Sequence, residues 1–373
     1  MNQSVMALSR HLVPLLCLIA LPAAAQSKGT PLPGLKEKDG AAAPAAAQPE
    51  VDVAALKKKA DSGDAEAQLS LADLMLRGAV KGAKAEDAAA LLEKAADAGH
   101  PPAQLAFARM IQSGAAGRKP DPERAKFLIQ QAAESGLATA QTAHALILMG
   151  QVDPKSRDLS YDEPVAWFRK AADQGDTEAM CRLGMMQAVG QGMPADPSAA
   201  WKLISKAARA GNALALNEAG IALQQGRGVE QDPVAAIGYF HAAADLGNVA
   251  ALVNLGSCYR SGNGIPRDLN KAGAAFAAAA RANSAPAQLI LGEMFERGEG
   301  TDANPVYAAV NYLRAANNGF AAGKERFDAI KPSLSAAQLK EVEDTLSGKA
   351  PTEQGKPVKA EPKPPQSVRP KVR

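Results

Sequence analysis

The residues able to do chemistry in this 373-residue sequence are few. Histidine stands at 11, 100, 144 and 241 and cysteine at 17, 181 and 258. An imidazole beside a thiolate would bind a borderline metal such as zinc, and His144 with Cys181 is the pair to weigh. Neither has a second ligand at metal-site spacing, so packed core side chains are the stronger account. Asp121, Asp196, Asp232 and Asp268 recur as an array of carboxylates, the raw material of acid–base catalysis. Gly-x-Gly recurs at Gly190/Gly192, Gly226/Gly228, Gly262/Gly264 and Gly298/Gly300, a pattern that elsewhere cradles phosphate when a strand leads into it. No Gly-x-x-x-x-Gly-Lys, Ser-x-x-Lys or His-Glu-x-x-His stretch is present, so nucleotide, acyl-serine and zincin chemistry lose their usual signatures.

The elements that position these residues explain most of them. A marker recurs at Gly63, Gly99, Gly136, Gly175, Gly211, Gly247, Asn283 and Gly319. Four residues after each of the first seven stands an alanine, and an Ala-Ala pair precedes each marker from Gly99 onward, as in Ala207-Ala208 and Ala243-Ala244. Such a period is the mark of a repeat array. Each unit decodes into two helices. Helix A starts about two residues past the marker, carries a small residue nine past it (Ala72, Ala108, Ala145, Gly184, Gly220, Gly256, Gly292) and stops at a glycine: Gly78, Gly114, Gly150, Gly190, Gly226, Gly262 or Gly298. Helix B starts at a capping side chain, often followed by proline, as in Asp121-Pro122, Asp196-Pro197, Asp232-Pro233 and Asn304-Pro305. Lys84 and Ser160 depart from that rule. Its core face offers a bulky residue ahead of the alanine pair: Leu92, Ile129, Trp167 and Phe168, Ile204, Tyr239 and Phe240, Phe276, Tyr312. The aspartates are therefore helix caps, each worth roughly 1 kcal/mol, and the Gly-x-Gly pairs are turns between helices. No catalytic, cofactor-binding or metal residue is expected.

One helix pair cannot bury its own apolar stripe, so the units must stack. Residues 51 to 61 read as a lone helix B capping one end, and Ala321–Ile330 and Ala336–Leu346 as closing helices, with Ser335 and Gln338 forming a capping box. Around this array, 51 to 346, lie three other segments. Residues 1 to 25 read as a secretory signal, with Arg10 and His11 before an apolar run too short to span a bilayer and Ala23-Ala24-Ala25 at the cleavage end. Residues 26 to 50, rich in alanine and proline, read as a spacer. Residues 347 to 373 carry seven Lys or Arg against two Glu, which accounts for the net charge of +3. The basic balance belongs to this Pro-rich tail, which is expected to be disordered, and gives no nucleic-acid footprint.

The order Ala251, Leu255-Gly256, Tyr259, Gly262, Gly264, Asp268, repeated in register along the chain, resembles the Sel-one-like repeat family, a branch of the tetratricopeptide-like solenoids. The resemblance implies an all-α, right-handed superhelical solenoid of seven helix-turn-helix repeats with helical caps, its concave side lined by helices A and recruiting protein partners. In bacteria it implies an exported adaptor of envelope assembly, signalling or host contact. Some secreted relatives carry a disulfide in each repeat and are linked with β-lactam binding or hydrolysis. Here no repeat holds two cysteines, and Cys181 and Cys258 lie two repeats apart, farther than a disulfide spans given helix spacings of about 8–10 Å. Two free, mostly buried thiols are expected.

If helices A line a groove, positions six, ten and thirteen past each marker share its face. In repeats three to five these are Thr142, Leu146, Met149; Cys181, Met185, Ala188; Asn217, Ile221, Gln224. The strip is apolar and Met-containing, flanked by Arg109 and Gln112 on one side and by Arg260, Glu293 and Glu296 on the other. Methionine adapts to varied partners, so Thr142, Leu146, Met149, Met185, Asn217, Ile221 and Gln224 form the candidate site for a protein or peptide ligand. The competing reading places several of them in the core between helices. The turn from Gly150 to Ser160 is longer than its counterparts and carries Asp153, Lys155, Arg157 and Asp158, either a contact site or a tolerated insertion. The function expected is a non-enzymatic exported scaffold, periplasmic or secreted, without cofactor, transmembrane segment or nucleic-acid partner. The alternatives are a cell-wall or β-lactam-acting hydrolase and a structural envelope protein held at an anionic surface by its basic tail.

Overall fold

A computed structural model of the chain describes residues 52–152 and 160–349. The expected signal and spacer, the residues from Asp153 to Asp158 in the long turn, and the tail beyond Lys349 lie outside the described residues. Those that are described form α-helices joined by short turns, with no strand among them. In chain order the helices are α1 (Val53–Asp61), α2 (Ala65–Leu76), α3 (Ala85–Asp97), α4 (Pro101–Ser113), α5 (Pro122–Glu134), α6 (Ala138–Gln151), α7 (Asp162–Asp173), α8 (Thr177–Val189) and α9 (Pro197–Arg209). They continue as α10 (Ala213–Gln225), α11 (Pro233–Asp245), α12 (Val249–Ser261), α13 (Leu269–Arg281), α14 (Ala285–Arg297), α15 (Pro305–Asn317), α16 (Ala321–Ile330) and, after a 3-10 turn, α17 (Ala336–Leu346). From α2 to α15 the even-numbered helices are A and the odd-numbered ones B, so the fold is all-α with seven helix-turn-helix repeats. The chain forms two compact units, one reaching Leu128 and the other beginning at Ile129. In the first unit α1 to α4 pack each on its sequence neighbours, and in the second so do α6 to α16, with α8 also touching α10.

Local chemistry sets the helix ends. Free N–H groups at the start of helices B are met by the expected side chains: Arg124 N–H donates to Asp121 at 3.0 Å, Ala199 N–H to Asp196 at 2.9 Å, Ala235 N–H to Asp232 at 2.9 Å and Lys271 N–H to Asp268 at 3.0 Å. Lys84 makes no side-chain cap. At α7 the cap residue is Tyr161, also without a side-chain bond, while the Ser160 hydroxyl sits 3.2 Å from the Asp162 carboxylate. Helices A are capped as well, one residue past the marker, by Asp64, Asp176, Asn212, Asn248 and Ser284, and by His100 through Nδ1. Gly114, Gly190, Gly226, Gly262 and Gly298 end their helices in the left-handed conformation. Gly150 does not: α6 continues through it to Gln151, and Val152 in an extended conformation closes the helix instead. Its stop is displaced because the turn that follows lacks the standard length.

Packing follows the small-with-large alternation. A Cβ built on Gly220 would lie 2.6 Å from the Phe240 ring, on Gly256 2.8 Å from Phe276, on Gly292 2.6 Å from Tyr312 and on Gly184 2.8 Å from the Ile204 side chain. Helix A thus has a notch at position nine that receives the bulky residue of its own helix B. The three rings so seated are buried, each contributing about 1.5–3 kcal/mol of apolar burial. The first unit uses alanine at this position and adds a charged clasp. Glu93 pairs with Arg118 at 2.7 Å and Arg124 at 2.8 Å, and both guanidiniums stand over the buried Phe107 ring. Buried amides tie helix A to the preceding helix B: Gln68, Gln141 and Gln288 donate to the carbonyls of Ala60, Ala133 and Ala280.

The Gly-x-Gly turns reach back one repeat. At Gly264 (φ +75°) a Cβ would fall 2.1 Å from the Pro233 carbonyl oxygen, whereas at Gly262 (φ +80°) the nearest atom, Arg267 Cβ, is 3.5 Å away. Both positions carry the left-handed penalty of about 1–2 kcal/mol for any other residue. Only Gly264 adds a backbone collision. Urea denaturation should show Gly264→Ala losing about 1–3 kcal/mol more than Gly262→Ala, and equal losses would show that the repeats do not touch there.

Candidate functional site

The strip expected from periodicity divides into two sets. Thr142, Cys181 and Asn217, all six past their markers, are buried. The Thr142 hydroxyl donates to the Ala138 carbonyl at 3.2 Å. Asn217 accepts from the Asn254 amide at 2.8 Å and donates to the Glu218 carboxylate at 3.2 Å. These side chains lie one turn from the notch and share its inner flank, so the core reading holds for them. Leu146, Met149, Met185 and Ile221 are half-buried, packed on the margin of the second unit's core with part of each side chain facing solvent. Gln224 is half-buried too; its side-chain amide donates to the Cys258 sulfur at 3.1 Å and its backbone carbonyl accepts from the Gln231 side chain at 2.8 Å. α6, α8 and α10 therefore present one exposed apolar margin made of Leu, Met and Ile.

Polar residues accompany it. At position seven of three successive helices A stand Arg182, Glu218 and Asn254, where the other repeats carry Ser70, Ala106, Ala143 and Ile290. Arg182 bonds Glu178 at 3.3 Å, leaving its buried Nε without a partner. Burial pushes the Glu218 carboxyl upward, opposed by the Asn217 hydrogen bond and by the charges of Arg227 and Arg182. This row escaped the sequence reading, although a single position turning polar in three consecutive repeats was a visible signal. Beyond it the flanking charges are spent on one another. Arg260 holds Glu299 through two bonds of 2.7 and 2.9 Å and approaches Glu293 at 3.9 Å, and Glu296 accepts from the Tyr312 hydroxyl and from Arg326. Hydrogen bonding to Arg260 holds the Glu299 carboxyl below its usual value. Arg109 and Gln112 lie on α4 in the first unit, the former exposed.

The remaining reactive groups are muffled. Cys181 and Cys258 are unpaired and buried, and burial pushes both thiols up, which disfavours the thiolate needed for nucleophilic attack or metal binding. His144 meets Trp167 edge-on, ring centroids 5.2 Å apart, with its Nδ1 buried and unpartnered. Among the described residues no three His, Cys, Asp or Glu side chains gather as a metal site, and no helix is long and apolar enough to cross a membrane.

Comparison with known proteins agrees with this architecture. The model of the Sel1 repeat family matches seven consecutive segments: 65–100, 101–137, 141–176, 177–212, 213–248, 249–284 and 285–320. No curated protein matches the chain. Among solved structures, a protective antigen of uropathogenic Escherichia coli strains displaying an SLR fold is 26% identical, with a TM-score of 0.54 over 82% of this chain and 65% of its own. The chain thus spans just under two thirds of that relative. A Sel1 repeat protein from Oxalobacter formigenes is 28% identical, with a TM-score of 0.52 over 74% of this chain and 80% of that one.

Burial also gives the fold an acid dependence. His144 and His241 are both held below the ordinary value of 6.5, chiefly by desolvation, with nearby carboxylates opposing. The unfolded chain therefore binds protons that the folded chain refuses. Stability is retained above about pH 6.5 and lost as pH falls below it, with a slope of at most about 1.4 kcal/mol per pH unit for each histidine. In denaturation curves collected from pH 7.5 to 5, the double variant His144→Gln/His241→Gln should lose less stability with acid than the parent. Parallel curves would remove these two residues as the cause.

Proposed function

Since the chain belongs to the Sel1 repeat family, whose helical repeats serve as a scaffold for protein interaction, we propose that it is a non-enzymatic adaptor holding a protein segment along helices A of repeats three to five. The observation that carries this reading is the apolar margin of Leu146, Met149, Met185 and Ile221, half-buried on the core. Methionine and isoleucine at such a margin suit the side chains of an amphipathic helix or an extended peptide, and thioethers adjust to its shape. Thr142 and Asn217 support the surface from beneath, and Gln224 borders it. Asn254 and Glu218 offer polar anchors alongside.

Two features support placing the adaptor outside the cytoplasm: the expected signal in residues 1 to 25, and the similarity to a protein described as a protective antigen. The caps and turns account for the recurring aspartates and Gly-x-Gly pairs, so these motifs lend the hydrolase alternative no support.

Crosslinking and pulldown from the envelope fraction of cells making the full chain tests the surface. The variant Met185→Glu/Ile221→Glu should lose the partner captured by the parent while its far-ultraviolet circular dichroism stays helical. Capture of the same partner at the same yield would rule this surface out.

A further inference from the structure

The four Gly-x-Gly turns differ in the residue between their glycines: Gln191, Arg227, Asn263 and Glu299. Asparagine before glycine is the pair among these with chemistry of its own. The glycine nitrogen can attack the side-chain amide carbon and close a five-membered ring, and glycine has no side chain to obstruct the approach. Glutamine would have to close a six-membered ring and does so more slowly. Arginine and an ionised glutamate offer no comparable electrophile. Repeat six therefore carries, in a turn shared with its neighbours, a reactive pair that they lack.

The sequence holds a second Asn-Gly pair, Asn318-Gly319, and the fold treats the two differently. Both asparagines are exposed, so access to water does not separate them. At the second pair the reacting groups are engaged. The Asn318 side-chain amide donates to the Gln288 side-chain carbonyl at 2.9 Å, and the Gly319 N–H donates to the Ala316 carbonyl at 2.9 Å. Asn263 is held only at its own backbone N–H, by a long bond of 3.4 Å to the Ser261 hydroxyl. Among the described residues nothing bonds its side-chain amide or the Gly264 N–H. Electrophile and nucleophile are free at the first pair and committed at the second.

We propose that Asn263 is a site of self-catalysed deamidation and isoaspartate formation that alters the junction between repeats five and six. The Gly264 nitrogen bonds to the Asn263 side-chain carbonyl carbon and gives up its proton, and the amide nitrogen leaves as ammonia. One water then opens the cyclic imide. Opening at one carbonyl yields aspartate. Opening at the other routes the main chain through the former side chain and adds one carbon to it. That carbon falls directly before Gly264, whose backbone lies so near the start of α11 that a Cβ would meet the Pro233 carbonyl oxygen at 2.1 Å. Packing this close cannot take an inserted atom without displacement. Isoaspartate therefore unseats the turn from the preceding repeat, while aspartate, with its ordinary backbone, leaves it in place.

Peptide mapping by mass spectrometry of the full chain, kept folded at mildly alkaline pH and sampled over days, follows both pairs at once. Asn263 is expected to convert roughly tenfold or more faster than Asn318, because two hydrogen bonds must break before the latter reacts. In urea, where those bonds are gone, the two should convert at similar rates. Equal rates in the folded chain, or Asn318 leading, overturn the proposal. Urea denaturation then reads the structural consequence. The isoaspartate-bearing fraction should unfold at a lower urea midpoint than fresh protein, whereas Asn263→Gln carried through the same incubation, and fresh Asn263→Asp, should keep theirs. An unchanged midpoint in the isoaspartate fraction overturns the displacement of the turn, as does an equal loss in either variant.

Discussion

A ring resting on a glycine is the contact around which each later repeat is arranged. Phe240 on Gly220, Phe276 on Gly256 and Tyr312 on Gly292 bring the backbone of helix A within reach of a side chain from helix B, at separations a methyl group would already violate. Because the notch and its ring belong to the same repeat, the contact sets the crossing of the pair before any neighbour docks. Interiors are packed too tightly to absorb an extra carbon without displacement. The alanine pairs beside the markers, the Gly-x-Gly turns and the amide bonds from Gln68, Gln141 and Gln288 then join one fixed pair to the next.

This arrangement decides what surface remains for recognition. Position nine and the flank at position six are consumed by the notch, which is why Thr142, Cys181 and Asn217 are interior. Residues one turn further along, Leu146, Met185 and Ile221, are left on the margin, half held by the core and half free. A side chain supported in this way has little rotational freedom left to lose, which on the proposed reading lowers the ordering cost of binding. The scaffold and the surface are thus two sides of the same helices.

Most of this was legible in the sequence because each repeat states its rule again. Asp196, Asp232 and Asp268 could be recognised as caps without coordinates, and so could the closing helix with its Ser335–Gln338 box, since capping is a local matter of one side chain and a few N–H groups. Gly150 defeated the same reasoning: its stop signal depended on a turn of standard length, and the turn there is longer. The caps of helices A at Asn212 and Asn248 directly follow Gly211 and Gly247, and asparagine beside glycine is equally at home in a turn, so the capping role emerges only from the bonds they accept from Ala215 and Ala251. The division of the strip into buried and half-buried rows was not legible either. Helical periodicity gives the face on which a residue lies but not how deep the neighbouring helix seats, and that depth is set by the notch. Glu218 and Arg182 were hidden for a related reason, since a charged residue on an amphipathic helix reads as solvated until burial is known.

The two cysteines among the described residues illustrate a quieter effect of close packing. Cys181 and Cys258 occupy interior positions of α8 and α12, helices A two repeats apart, with their sulfurs withdrawn from solvent and, for Cys258, engaged by the Gln224 amide. Thiol–disulfide exchange needs an exposed thiolate to attack and a partner within bonding reach. Among the described residues neither requirement is met, so Cys181 and Cys258 stay inert whether their surroundings are reducing or oxidising, and close packing protects them as a disulfide otherwise would.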